Sequence, residues 1–328
     1  MSATPPGGAR IHAPATRFTP PLTVEERRVV SFDGTDIAYH LVGEGPPILL
    51  ANGLGGSWRA WTHQLRHFSD RYRFVSWDQR GLYRSGAPPD RGALDVPAQA
   101  RDALAVLDAE GLDQVAIWGW SMGVQVALEL WRRAPERIAS IVLINGVAGK
   151  PWSTLANVPK VGLLAPYVLS TLRRMPLLVS SVTQRAVAFK GTPQWAMRLG
   201  LASRTLDVAI FEELAGSFGG LDMGIYVHTL EQIGEHDAHD VLPTVRVPLL
   251  MLAGGRDLMT PRSAAERIAR EVPGAEMLVV PGGTHYLAVE YPELVSLRIE
   301  RFLRDRGYPP RGESRRRSSR PPPFGGAR

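Results

Sequence analysis

Short apolar runs recur along the chain between stretches whose apolar positions fall three and four apart, the pattern of strands alternating with amphipathic helices. "PILLA" (47–51), "IVLI" (141–144) and "PLLML" (248–252) are almost wholly apolar, as strands covered by helices on both faces must be. The pattern predicts strands over Arg28–Phe32, Asp36–Val42, Pro47–Ala51, Arg73–Trp77, Gln114–Trp118, Ser140–Ile144, Pro248–Ala253 and Glu276–Val280. Helices are predicted over Trp58–Phe68, Val96–Glu110, Met122–Arg133, Pro261–Glu271 and Pro292–Arg306. A hairpin followed by repeated β-α units makes the fold class α/β, with a mostly parallel, doubly wound sheet.

The alternation stops once. Over residues 147–236, "VPKVGLLAPYVLSTLRRMPLLV" and "RAVAFKGTPQWAMRLGL" read as helices broken by Pro and Gly, and strand pattern returns only at "VRVPLLMLAGG". This stretch is expected to be a helical cap inserted over one end of the sheet, since long insertions in compact domains usually serve function; extra core helices would give the same pattern. The core then comes in two pieces, 23–146 and 237–306. Residues 1–22 and 307–328 lack the apolar side chains needed to pack and are expected to be disordered.

Composition narrows the chemistry. The chain has 328 residues, 44% of them hydrophobic, and no cysteine, which removes disulfides, thiolate metal sites and a cysteine nucleophile. Its net charge of +6 is concentrated in residues 307–328, whose six arginines and one glutamate supply +5. The body is nearly neutral, so a nucleic-acid partner is expected at most for the Arg/Pro-rich tail, which could also meet an acidic membrane surface. With neither a leader pattern nor a run of about 18 apolar residues, no membrane span and a cytoplasmic location are expected. The pattern sets no oligomeric state.

Candidate chemistry begins at "AIWGWSMGVQVALEL" (116–130), where an apolar strand runs into a helix with Ser121 at the turn between Gly119 and Gly123. A residue there is strained and exposed, and the N–H of Met122 at the helix start faces the place where an oxyanion would form; an ordinary helix-capping serine is the plainer reading. A nucleophilic serine needs a base and an orienting acid. His285 in "VVPGGTHYLAVE" and Asp257 in "MLAGGRDLMTP" each follow an apolar strand, which brings them to the same end of the sheet, although alone they read as a loop histidine and a turn or N-cap aspartate. "PPILLANGLGGSW" offers the N–H of Leu54 as a second oxyanion donor; it lacks the lysine of a P-loop. His63 and His67, four apart, and the "HDAH" of 236–239 lack further ligands, so no metal or other cofactor is expected.

These motifs together resemble the α/β-hydrolase superfamily from about Glu25 to Arg306, in the capped branch of esterases, lactonases, carbon-carbon bond hydrolases and haloperoxidase-like enzymes. The resemblance implies Ser121, Asp257 and His285 as a catalytic triad, and Leu54 and Met122 as the oxyanion hole. It also implies a serine rather than an aspartate nucleophile, hence neither dehalogenase nor epoxide hydrolase. Two positions depart from the family's pattern: Asn52 stands where the oxyanion loop usually has His, and Tyr83 where the "DQRGLYRSG" turn usually has Gly. Asn52, Tyr83 and Trp120 are therefore expected to brace loops or touch substrate. The expected function is hydrolysis of an ester or lactone of a small to medium apolar acyl substrate through an acyl-enzyme. Carbon-carbon hydrolysis, perhydrolysis and acyl transfer share the triad, and a non-catalytic receptor would keep the pocket. Trp152, Tyr167, Trp195, Phe211 and Phe218 are expected either to line that pocket or to form the cap's own core.

Overall fold

Among the described residues the strands join into one nine-stranded sheet of order β1-β2-β3-β5-β4-β6-β7-β8-β9. The computed structural model describes residues 10–12, 22–151, 167–189 and 191–309. The strands are β1 (Arg10–His12), β2 (Thr23–Val30), β3 (Asp36–Val42), β4 (Pro47–Ala51), β5 (Arg73–Trp77), β6 (Val115–Trp120), β7 (Ile138–Ile144), β8 (Leu249–Gly254) and β9 (Glu276–Val280). The first four in spatial order pair antiparallel, and every pairing from β5 to β9 is parallel. The mostly parallel sheet expected from the apolar runs is what forms.

Helices α1 (Thr62–Phe68), α2 (Val96–Ala109) and α3 (Met122–Arg133) precede β8, and α8 (Arg262–Glu271), α9 (Leu287–Glu290) and α10 (Pro292–Asp305) follow it. Between β7 and β8 lie α4 (Pro176–Ala188), α5 (Thr192–Arg198), α6 (Val208–Phe218) and α7 (Met223–Ile233), with no strand among the described residues of that stretch. Alternate strand residues serve opposite layers. Leu49, Ile117, Leu143 and Met251 pack with Val106 of α2, Val124 and Leu128 of α3 and Ile268 of α8. Ile48, Leu50, Trp118 and Leu252 pack with Leu65 and Phe68 of α1 and Ile299 and Phe302 of α10.

At the chain ends, expectation and structure part. β2 begins at Thr23, five residues before the expected start, because the charges of "TVEERR" have partners: Arg27 Nη1 bonds Glu110 Oε1 at 2.7 Å and Arg28 Nε bonds Asp36 Oδ2 at 2.7 Å. Arg10–His12, inside the segment expected to be disordered, pairs with Thr23–Glu25 as an edge strand. Tyr308, assigned to the tail, is buried: its ring stacks on Tyr72 at 6.2 Å, and its hydroxyl accepts from Ala116 N at 3.1 Å and donates to Pro47 O. An aromatic body with one satisfied polar end gains from such a site, whatever the composition around it. Leu22, also assigned to the N-terminal segment, is buried, and residues 1–9, 13–21 and 310–328 lie outside the described part.

The loop after β5 is pinned by charge. Arg80, fully buried, donates from Nε and Nη2 to both oxygens of Asp102, at 2.8 and 2.6 Å, and from Nη1 to Asp33 at 2.8 Å; Ser31 Oγ completes Asp102 at 2.6 Å. Removing one member of such a pair strands the other's charge. Asp102→Asn is expected to cost about 3–5 kcal/mol in urea unfolding; a change within experimental error would show that Arg80 finds equivalent partners.

Candidate active site

Strand β6 ends at Trp120 and helix α3 starts at Met122, which leaves Ser121 alone to make the turn, at φ 57° and ψ −118°. That conformation is costly for any side-chain-bearing residue and persists only where neighbours enforce it. Here the Ser121 N–H donates to Asn145 O at 2.7 Å and to Ile144 O at 3.1 Å. A Cβ on Gly123 would lie 1.9 Å from the Ala51 carbonyl oxygen, and one on Gly119 would lie 2.4 Å from that of Gly123. Only glycine at both positions lets β6, α3 and β4 approach this closely.

Asp257 follows β8, and His285 lies between β9 and α9, in the expected order and at the same sheet end as Ser121. His285 Nε2 lies 2.9 Å from Ser121 Oγ, and His285 Nδ1 lies 2.8 Å from Asp257 Oδ2. Asp257 also accepts from Met259 N at 2.8 Å, from Thr260 N at 2.9 Å and from Thr260 Oγ1 at 2.6 Å. Burial alone would raise its carboxyl, but His285 and the Thr260 donors outweigh that and hold it below its ordinary value. Its two readings therefore coexist: the carboxylate that closes the turn also faces the imidazole.

Leu54 and Met122 line one cavity with Ser121 and His285, and no described residue accepts from either N–H. Asn52 does not line it; its amide bonds Ser76 Oγ at 3.0 Å and Trp77 O at 3.3 Å, and its Oδ1 accepts from Trp61 Nε1 at 2.9 Å. Tyr83, at φ 52°, donates its hydroxyl to Gly55 O and likewise braces the loop from behind. Trp120 does both: it lines the cavity and donates Nε1 to His285 O at 2.9 Å.

Two residues at the site carried no earlier assignment. Gln79 accepts from Gly55 N at 3.0 Å and donates to Gly53 O at 2.8 Å, clamping the loop that carries Leu54. Asn145, at φ 43°, donates Nδ2 to Thr284 O at 2.7 Å and His285 O at 3.1 Å, while its Oδ1 accepts from Gly254 N at 2.7 Å. One buried side chain thus ties β7 to the ends of β8 and of the histidine loop, while its backbone holds Ser121. The Asn-Gly pair after an apolar strand in "LINGV" was the available signal, since Asn tolerates φ above zero.

The cavity holds about 350 Å³ and is walled largely by apolar side chains, among them Phe211, Leu214 and Phe218 of α6 and Tyr226 and Ile233 of α7. Of the five aromatics expected to line a pocket or pack in a cap, Phe211 and Phe218 reach it. Tyr167 and Trp195 are exposed instead, and Trp152 lies outside the described residues. A second cavity of about 300 Å³ lies against Glu26, His40, Asp78 and Arg84, without Ser121, Asp257 or His285 in its wall. Burial pushes the His40 imidazole down to about 4 and the Asp78 carboxyl up to about 7. His63 bonds Asp207 at 3.1 Å, His67 bonds Glu300 at 3.1 Å and His236 bonds Glu129 at 3.2 Å; the described residues contain no cluster of three metal-ligand side chains. Nor is any described helix long and apolar enough to cross a membrane.

Sheet order, turn and crevice define the α/β class of hydrolases. The chain belongs to the α/β-hydrolase fold family, whose model matches residues 46–292. Among its relatives, the putative carbamate hydrolase RutD of Azorhizobium caulinodans is 28% identical over 265 residues, covering 79% of this chain and 91% of that protein. The thermophilic esterase of Thermogutta terrifontis superposes with TM-score 0.68 at 23% identity, over 86% of this chain and 98% of that one. The enol-lactonase of Burkholderia xenovorans does so with TM-score 0.68 at 21% identity, over 85% and 100%. The protein is an enzyme of the hydrolase type.

Asn145→Ala would leave the carbonyl of Thr284 and the N–H of Gly254 without this partner, and would leave the carbonyl of His285 with Trp120 Nε1 alone. A loss of roughly 1–3 kcal/mol in chemical denaturation is expected; unchanged stability would show that water replaces the side chain.

Proposed function

We propose that this hydrolase cleaves an ester or lactone of a small to medium apolar acyl compound through an acyl-enzyme on Ser121. The observation that carries the reading is the unbroken hydrogen-bond chain from Ser121 Oγ through His285 to Asp257, opening into an apolar cavity. His285 Nε2 takes the Ser121 proton as Oγ attacks the acyl carbon. Asp257 holds the Nδ1–H tautomer and stabilises the imidazolium. The N–H groups of Leu54 and Met122 receive the oxyanion, a contribution worth on the order of a hundredfold in rate per donor. His285 then gives its proton to the leaving oxygen, and a water, deprotonated in turn by His285, releases the acid. Residues 147–236 act as the cap, with Phe211, Phe218 and Tyr226 setting which acyl chain fits.

A carbamate ester presents the same attacked carbon, and the relatives' name favours including it; a cavity of about 350 Å³ has room for more than a minimal carbamate.

A fluorophosphonate probe is expected to label the wild type and not Ser121→Ala. Against p-nitrophenyl esters of graded chain length, lactones, vinylogous diketones and carbamates, turnover of the esters or lactones is expected to dominate. Ser121→Ala is expected to lose on the order of a thousandfold or more in kcat. An unlabelled wild type with no turnover on the panel would favour a ligand receptor, and turnover of diketones alone would move the assignment to carbon-carbon hydrolysis.

A further inference from the structure

Helix α4 has thirteen residues and buries none of them. It is nonetheless apolar: Leu177 is 85% exposed, and Leu178 and Val182 are open to solvent with it. Phe189 just before α5, Trp195 within it and Leu199 just after it, the last 62% exposed, are open to solvent as well. A helix on a protein surface normally keeps its apolar side chains against the core, so this many large apolar side chains exposed along two successive helices mark an interaction surface.

The charge around the patch says what kind. From residue 150 to residue 206 the chain has eight lysines and arginines and no aspartate or glutamate, while the remainder carries a net charge of −2. Within that stretch Arg174, Arg185, Arg198 and Arg204 are exposed, and no described carboxylate pairs with them. The two other described cations of the stretch meet carboxylates from outside it, Lys150 at Glu235 (3.1 Å) and Arg173 at Glu231 (3.2 Å). Exposed Leu, Phe and Trp set among unpaired arginines make the composition of an element that lies in the headgroup region of an anionic bilayer. A protein partner of ordinary composition would not require acids to be absent over so long a stretch.

We propose that the α4–α5 face docks on an anionic lipid surface, apolar side chains entering the acyl boundary and arginines meeting the phosphates. Val187 of α4 and Thr192 of α5 line the cavity above Ser121, so docking sets one wall of that cavity beside the membrane. The proposal does not depend on the reaction, because binding is measured without turnover.

Co-sedimentation of the full chain with vesicles tests it. Binding is expected to phosphatidylcholine mixed equally with phosphatidylglycerol and not to phosphatidylcholine alone, and it is expected to weaken with added salt. Each arginine neutralised is expected to weaken binding about fivefold, so Arg174→Gln, Arg185→Gln and Arg198→Gln combined should cost on the order of a hundredfold. Leu177→Asp with Leu199→Asp should abolish binding at unchanged thermal stability, since both side chains are exposed. Equal binding to both vesicle types, no binding to either, or binding lost on deleting residues 310–328 but kept in the arginine variant would overturn the proposal. So would a concentration-dependent dimer abolished by Leu177→Asp, which would assign the face to a second copy.

Discussion

Everything at the candidate active site depends on a turn made by one residue. Ser121 stands at φ 57° because β6 and α3 follow each other with nothing else between them, at a cost of order 1–3 kcal/mol. That strain is held by what flanks it. Every residue from Met122 to Trp131 is buried, so α3 cannot shift outward to relax the turn. On the other side Asn145 accepts the Ser121 N–H through its backbone while its side chain fixes the carbonyls of Thr284 and His285. The serine's conformation and the histidine's position are therefore set by the same neighbour, and neither can drift without the other. Glu290 adds a second clamp, accepting from Thr284 N at 2.7 Å.

Sequence pattern reached this site for identifiable reasons. Fully apolar runs announce strands covered on both faces, chemistry at such strands' ends is confined to a few residue types, and glycines two positions either side of Ser121 have no other common explanation than close approach. Asp257 and His285 were legible by their position directly after strands. Gln79 was not, and for Asn145 the Asn-Gly pair signals only its backbone turn, because the importance of both lies in which groups they reach across the sheet: Asn145 meets residues 109 and 140 positions away. Single-sequence pattern records neighbours along the chain, and such contacts leave no trace in it.

The errors have a common cause as well. Composition assigned residues 1–22 and 307–328 to disorder, yet Arg10–His12 pairs with β2 and Tyr308 fills a gap between Tyr72 and the start of β4. Average character over twenty residues says whether a segment can fold alone; it cannot see one strand edge or one aromatic socket offered by a core already formed. β2 shows the same effect, its charges tolerated because Glu110 and Asp36 stand opposite.

The contrast between the sheet and the helices above it follows from these packing differences. The residues around Ser121 are held by buried hydrogen bonds from β7, β8 and α9, whereas α4 buries no residue and α5 buries only Pro193. Local opening costs least where few apolar contacts must be broken. The candidate triad therefore sits on the better-packed layer, and the cavity walls come partly from helices whose local opening costs less. A substitution in α4 or α5 can change what enters the cavity while the Ser121–His285–Asp257 geometry stays intact, because no hydrogen bond of that chain reaches either helix.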